Sequence, residues 1–169
     1  MFFSGFGFCY EEILFEKFYK KNDFTVAGFS LGAIKAFEYT LNSKQRVDNL
    51  ILLSPAFFND KDEKFKRLQL LHFNKNRELY IKNFLDNVKY PSHIDISQFM
   101  CECVEDDLKF LLNYYWNEDK LKYLNEKGVK IEVFLGKADK IINSKVAVEF
   151  FKKHSTAYFF NDYGHLLNS

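Results

Sequence analysis

A serine held between two glycines is the first residue of this sequence with the setting of a catalytic nucleophile. Ser30 lies at the centre of GFSLG, residues 28–32, which follows an apolar strand pattern at 24–28 and opens a helical pattern at 31–41. Gly-x-Ser-x-Gly between a strand and a helix predicts a nucleophile elbow, a strained turn that exposes the serine hydroxyl. The glycines keep the turn free of side chains that would clash. In the alternative interpretation Ser30 only caps the helix, because serine is a favoured N-cap residue.

A serine hydroxyl needs an adjacent base to take its proton. His165, in NDYGHLL, follows the last strand pattern and is the candidate base, although an ordinary surface histidine is the alternative. The other histidines fall in or beside predicted helices: His72, His93 and His154.

The base in turn needs an acid that fixes its tautomer and stabilises the imidazolium. Asp139, in FLGKADKI, follows the preceding strand pattern and is the candidate. Asp162 lies nearer in sequence, but three residues before the histidine it is more typical of a turn. The order Ser30, Asp139, His165 is that of α/β-hydrolases.

A tetrahedral intermediate also needs amide donors for its oxyanion. The N–H of Leu31, directly after the nucleophile, is the first candidate, and the N–H of Phe6 in FFSGFG is the second. A plain tight turn would explain the glycines around Phe6 almost as well.

The elements that must position these residues alternate between strands and helices. Strand patterns are found at 2–3, 24–28, 49–53, 129–135 and 157–160, and helical patterns at 10–21, 31–41, 118–126 and 144–153, with only helical signals at 60–115. In the 10–21 helix, Phe15 and Ile13 are expected to face inward and Glu11 outward.

This alternation predicts an α/β fold with a parallel sheet and right-handed crossovers. Because working residues lie beyond the carboxyl ends of such strands, Ser30, Asp139 and His165 are expected to meet there. We therefore predict one α/β-hydrolase domain over 1–169, with a roughly five-stranded, mostly parallel sheet and a helical lid insert at 56–116.

Composition narrows the class of protein. The 169 residues are 47% hydrophobic and carry a net charge of +1, which argues against a nucleic-acid-binding protein. Cys9, Cys101 and Cys103 lack zinc-type spacing, so we expect reduced thiols in a cytoplasmic protein with no metal or cofactor. The start, MFFSGFGF, does not resemble a signal peptide, and no apolar stretch approaches the roughly 20 residues that span a bilayer.

A basic cluster is found within the helical insert. Its members are Lys64, Lys66, Arg67, Lys75, Arg77 and Lys82, and Glu78 is the single acid between the first and the last of them. Such a cluster is usually a solvated helix face. It would also steer an acidic partner such as an acyl carrier protein.

Several segments together resemble the BioV-type pimeloyl-[acyl-carrier protein] methyl ester esterases. They are FFSGFGF, GFSLGAIKAFEY, LILLSPAFF, FKRLQL, KGVKIEVFLGKADKI and YGHLL, in this order over essentially the whole chain. The resemblance implies a Ser30–Asp139–His165 triad, oxyanion amides from Phe6 and Leu31, and hydrolysis of the ω-methyl ester of pimeloyl carrier protein in biotin synthesis.

The sequence departs from the wider hydrolase pattern in two ways, the second of which implies a truncated α/β-hydrolase fold. Ser4 stands where an oxyanion motif usually has a histidine, and the chain is expected to lack the first strands and the last helix of a full-length hydrolase. The alternatives are a thioesterase that cuts the acyl chain from the carrier protein, a general short-chain carboxylesterase, and a non-catalytic binding module.

Overall fold

The computed structural model describes all 169 residues. The strands are β1 (Phe2–Phe3), β2 (Thr25–Phe29), β3 (Asn49–Leu53), β4 (Lys130–Gly136) and β5 (Thr156–Phe160). The helices are α1 (Leu31–Asn42), α2 (Glu63–Lys75), α3 (Arg77–Lys89), α4 (Glu105–Asn113), α5 (Glu118–Glu126) and α6 (Ser144–Phe151). Two short 3₁₀ turns span Glu11–Phe15 and Ser97–Phe99.

All five strands are parallel and follow one another across the sheet in chain order, β1-β2-β3-β4-β5. The central strands β2 and β3 have no polar side chain after their first residues, Thr25 and Asn49, because both of their faces are covered. Alternate residues of β3 point to opposite faces: Leu50 and Leu52 join one core cluster, and Ile51 and Leu53 join the other. The α/β fold with a five-stranded parallel sheet is confirmed.

The helical insert leaves the sheet after β3 and returns before β4. Its two ends are joined by Trp116, which is fully buried and whose indole N–H donates to the carbonyl of Ala56 at 2.8 Å. Asn59 adds two hydrogen bonds to the backbone of Trp116, of 2.8 and 3.0 Å. The rings of Phe37 and Phe151 pack on the indole at 5.1 and 4.9 Å. This anchor places α2, α3 and α4 over the carboxyl end of the sheet.

The helix expected at 10–21 is wrong, since only the 3₁₀ turn Glu11–Phe15 forms there. The expected inward and outward directions of its side chains are also partly wrong, because Glu11 is fully buried whereas Ile13 is 62% exposed. The carboxyl group of Glu11 accepts from the N–H of Gly5, and that of Glu12 accepts from the side chains of Tyr19 and Lys21. All three donors lie outside the turn. These tertiary hydrogen bonds override the helical periodicity.

The expectation of three reduced thiols is wrong as well. Cys9 and Cys101 form a disulfide, with their Cα atoms 5.9 Å apart, and only Cys103 is free. An antiparallel bridge between Phe8 and Met100 brings the two cysteines together across a sequence separation of 92 residues. None of the helices combines the length and apolar character needed to cross a membrane.

Candidate active site

Ser30 lies in a strained turn between β2 and α1. Its backbone has φ 53° and ψ −113°, and its side chain makes no capping hydrogen bond to α1, which removes the N-cap alternative. A Cβ atom at Gly28 would collide with the backbone of Gly32, and one at Gly32 would collide with the carbonyl oxygens of Phe3 and Ser4. The two glycines are therefore required by the close approach of the strand, the helix and the chain after β1.

His165 reaches Ser30 from the loop after β5. Its Nε2 lies 3.0 Å from the Oγ of Ser30, and its side chain is fully buried. The ring lies 5.2 Å from that of Phe29, the residue before the serine. This packing holds the imidazole in the position that a general base requires.

Asp139 completes a hydrogen-bonded line. Its Oδ2 lies 2.6 Å from the Nδ1 of His165, and its Oδ1 accepts from the N–H groups of Ile141 and Ile142 at 2.7 and 3.1 Å. Both carboxylate oxygens are thus satisfied at the end of β4. Asp162 is exposed and makes no hydrogen bond to the histidine.

The two predicted oxyanion donors come from the start of α1 and from the loop after β1. Leu31 is the first residue of α1, so its N–H has no partner within the helix. The N–H of Phe6 donates to no protein atom, and Phe6 lines the same cavity as Ser30. Both groups are available to a bound oxyanion.

A cavity of about 560 Å³ opens above Ser30, and most of its lining comes from the insert. The apolar part of the lining includes Phe58, Phe65, Phe84, Leu108, Leu111 and Leu112. The polar part includes Lys61, Gln69, His72, Asn83, Asn87 and Lys140. The cavity can therefore receive a chain that is largely apolar and carries some hydrogen-bonding groups.

The basic residues predicted to bind a partner divide into two groups. Three form ion pairs within the chain: Lys66 with Glu63, Lys82 with Asp86, and Arg77 with Glu102. Arg77 also donates to the carbonyl of Cys103, so its guanidinium is part of the internal structure of the insert.

The other group, Lys64, Arg67 and Lys75, is exposed and forms no ion pair. These residues share one face of α2 with Leu68 and Leu71, which are 37% and 57% exposed. We call these five residues the α2 face. It combines unpaired positive charge with exposed apolar surface, as protein interaction sites do.

Glu11 is a residue of this region that the sequence pattern did not single out. It accepts a hydrogen bond from the N–H of Gly5 at 2.7 Å, next to the proposed oxyanion donor. Burial raises the pKa of Glu11 above its ordinary value. No sequence signal identified it, because the helical pattern directed its side chain to solvent.

Comparison with known proteins identifies structures of similar fold but no close relative in sequence. No protein-family model and no curated protein matches the chain. An esterase (EaEST) from Exiguobacterium antarcticum gives a TM-score of 0.62 at 19% identity, over 83% of this chain and 59% of that one. MenH from S. aureus gives 0.59 at 16% identity, over 99% and 87%. Naproxen esterase (carboxylesterase NP) from Bacillus subtilis gives 0.57 at 17% identity, over 85% and 53%.

These similarities show that the chain has an α/β-hydrolase fold. It spans 59% and 53% of the lengths of the two esterases. Since one fold hosts many reactions, the activity has to be argued from the site itself.

Proposed function

We propose that this protein is a serine hydrolase that cleaves carboxylic esters. The observation that carries the proposal is the buried hydrogen-bonded line from Ser30 through His165 to Asp139, with distances of 3.0 and 2.6 Å. Non-catalytic packing does not require a strained serine, a buried imidazole and a satisfied carboxylate in this order. A binding module would leave all three unexplained.

The chemistry follows from these positions. His165 takes the proton of Ser30 as its oxygen attacks the ester carbonyl, and Asp139 stabilises the imidazolium that forms. The N–H groups of Phe6 and Leu31 donate to the oxyanion. His165 then protonates the departing alcohol, and water, activated by the same histidine, releases the acid from the acyl-enzyme and restores the serine.

We further propose that the substrate is the ω-methyl ester of pimeloyl carrier protein, which yields methanol and a free carboxylate. The sequence resemblance to BioV-type esterases suggests this substrate. The cavity supports it, because its apolar lining suits a seven-carbon chain and its amide side chains suit the more polar arm that follows.

The α2 face supports an acidic protein as the carrier of that chain. Lys64, Arg67 and Lys75 are free to pair with carboxylates, while Leu68 and Leu71 offer apolar contact. Rim charges of this kind act mainly on association and weaken with salt, because the Debye length is about 8 Å at physiological ionic strength.

Mass spectrometry of methyl pimeloyl carrier protein after incubation with the protein tests the substrate. The proposal expects a product that has lost the methyl group but keeps the acyl chain. Release of the bare carrier protein would instead make the protein a thioesterase. A protein that leaves the carrier substrate intact but hydrolyses p-nitrophenyl butyrate would be a general short-chain carboxylesterase.

A double charge reversal tests the docking face. Lys64→Glu with Arg67→Glu should lower kcat/KM for the carrier substrate, whereas hydrolysis of p-nitrophenyl butyrate should stay at the parental rate. A matched control is Lys20→Glu with Lys44→Glu, which makes the same charge change at two exposed lysines that form no ion pair and lie outside α2. If the control double variant loses as much kcat/KM for the carrier substrate as the α2 double variant does, the effect is one of general charge and docking on α2 is contradicted.

A further inference from the structure

Glu11 is a buried carboxyl group that the hydrolytic steps do not use. Its side chain has no exposed surface, and its Oε1 accepts from the N–H of Gly5 at 2.7 Å. Its other oxygen, Oε2, accepts no hydrogen bond. A buried polar atom without a partner costs stability, so the position of this carboxyl calls for an explanation beyond packing.

The hydrogen bond at Gly5 bears directly on Phe6. The carbonyl of Gly5 accepts from the N–H of Phe8 at 3.1 Å, so Gly5 is held through both of its backbone groups. Because a trans peptide unit is planar, the N–H of Phe6 points opposite to the carbonyl of Gly5. Fixing Gly5 therefore fixes the direction of the Phe6 N–H.

We propose that Glu11 is a positioning residue that orients the Phe6 N–H toward the oxyanion by holding Gly5 in place. It acts through Gly5 and touches neither the substrate nor Ser30. This inference rests on the proposed esterase chemistry, because only an oxyanion gives the direction of the Phe6 N–H a function.

The turn that carries Glu11 is itself tied to the nucleophile. Phe15, in the same 3₁₀ turn, is fully buried, and its ring lies 4.8 Å from that of Phe29. Phe29 immediately precedes Ser30 in β2. The turn that carries Glu11 thus links the segment that carries Phe6 to the strand that leads into the serine.

The protonation of Glu11 provides a separate signature. Burial raises its pKa, the hydrogen bond from the N–H of Gly5 offsets this only partly, and the charged carboxylate of Glu12 adds to the rise. A carboxyl whose pKa is raised by folding stabilises the folded state below its unfolded pKa, and this contribution is lost as pH rises through the folded pKa. Glu11→Gln removes that titration and keeps an oxygen that can accept from Gly5.

Three variants test the inference: Glu11→Gln, Glu11→Leu and the matched control Glu12→Gln. The control changes a neighbouring acid that binds Tyr19 and Lys21 instead of Gly5. Glu11→Leu should lower kcat for p-nitrophenyl butyrate by at least about tenfold with little change in KM, since losing a whole oxyanion donor costs about 10²–10³. Inhibition by butylboronic acid, whose serine adduct has an oxyanion, should weaken in parallel. Glu11→Gln should restore most of kcat.

Amide hydrogen exchange separates positioning from failed folding or failed chemistry. The Gly5 amide should be protected in the parent protein and in Glu11→Gln, and should lose that protection in Glu11→Leu. Parental kcat in Glu11→Leu, equal losses in the Leu and Gln variants, or a fast-exchanging Gly5 amide in the folded parent would each overturn the inference. Should the parent neither hydrolyse the ester nor react with a fluorophosphonate, it is the proposed function that fails.

Discussion

The two sides of Ser30 are held in place in different ways. On the side of His165, the acid lies at a strand end, and Asp139 has both oxygens satisfied by three donors. On the side of Phe6, residues 4–10 belong to no helix or strand. Glu11, which follows them, accepts a single hydrogen bond, from the N–H of Gly5. For the proposed chemistry, the difference teaches that the proton-transfer groups would be supported by the sheet itself, whereas the oxyanion donor at Phe6 would depend on ties added to an irregular loop.

Those ties reach the far end of the helical insert. The bridge between Phe8 and Met100 and the disulfide between Cys9 and Cys101 both join the loop to the segment before α4. The ring of Phe6 also lies 5.5 Å from that of Phe84 in α3. Movements of the insert are thus expected to reach the oxyanion side.

Ser30→Ala removes the residue that both sides share and should have the largest effect. Ester hydrolysis should fall by several powers of ten, because triad removal typically has that effect. Steady-state kinetics with p-nitrophenyl butyrate measure the loss, and circular dichroism checks that the fold is retained. Activity within tenfold of the parent would show that Ser30 is not the nucleophile.

Asp139→Asn tests the side of His165 alone. Activity should fall by about 10⁴, as it does when the same change is made in a serine protease triad. Asp162→Asn is the matched control, since Asp162 is exposed and makes no contact with His165. A nearly normal Asp139→Asn protein beside an inactive Asp162→Asn protein would reverse the assignment of the acid.

Replacing Cys9 and Cys101 together by serine tests the other side. The disulfide closes a long loop, so its loss should lower the free energy of unfolding by about 2–4 kcal/mol. Chemical denaturation with and without dithiothreitol measures the change, and only the parent should respond to the reductant. A parent whose stability is unaffected by dithiothreitol would show that these cysteines are free thiols in solution.

Glu38 offers a contrast to Glu11 away from the site, and its effect should be the smallest. Burial alone would raise the pKa of Glu38, but hydrogen bonds from Tyr114 and Lys120, of 2.6 and 2.9 Å, hold it below its ordinary value. Its contribution to stability is present above the unfolded pKa and is lost as pH falls through the folded pKa. This is opposite in sign to Glu11.

Glu38→Gln should therefore reduce the loss of stability in acid by about 1 kcal/mol or less, because the group is partly exposed. Urea denaturation at several pH values, with Glu11→Gln measured beside it, compares the two. If both variants change stability in the same pH range and direction, the contrast between the two glutamates is wrong.

Regular parts of the fold were predictable from the sequence where local pattern and tertiary environment agree. The apolar run of β3 and the amphipathic α5 have the bounds expected, 49–53 and 118–126. The elbow was predictable because close backbone approach requires glycine at both Gly28 and Gly32. His165 and Asp139 were predictable as a pair because parallel strands bring their carboxyl ends to one edge.

The oxyanion side was less predictable because its contacts are long-range. The pairing of Cys9 with Cys101 depends on an antiparallel bridge between segments 92 residues apart, which spacing rules do not detect. Glu11 lies in a stretch whose apolar positions fit a helix, and only the hydrogen bond from Gly5 reverses its orientation. Local periodicity carries no information about such contacts.

The sequential strand order also bears on how the chain folds. Each strand pairs with the strands before and after it in the chain, so the sheet can grow by adding one neighbour at a time. The exception is the step from Leu53 at the end of β3 to Lys130 at the start of β4, which must span the whole insert. The entropic cost of closing a loop rises by only about 0.6 kcal/mol for each doubling of loop length. The sheet can therefore form with inserts of different size at this position. The helices that cover the cavity can vary while the strand pairing stays the same.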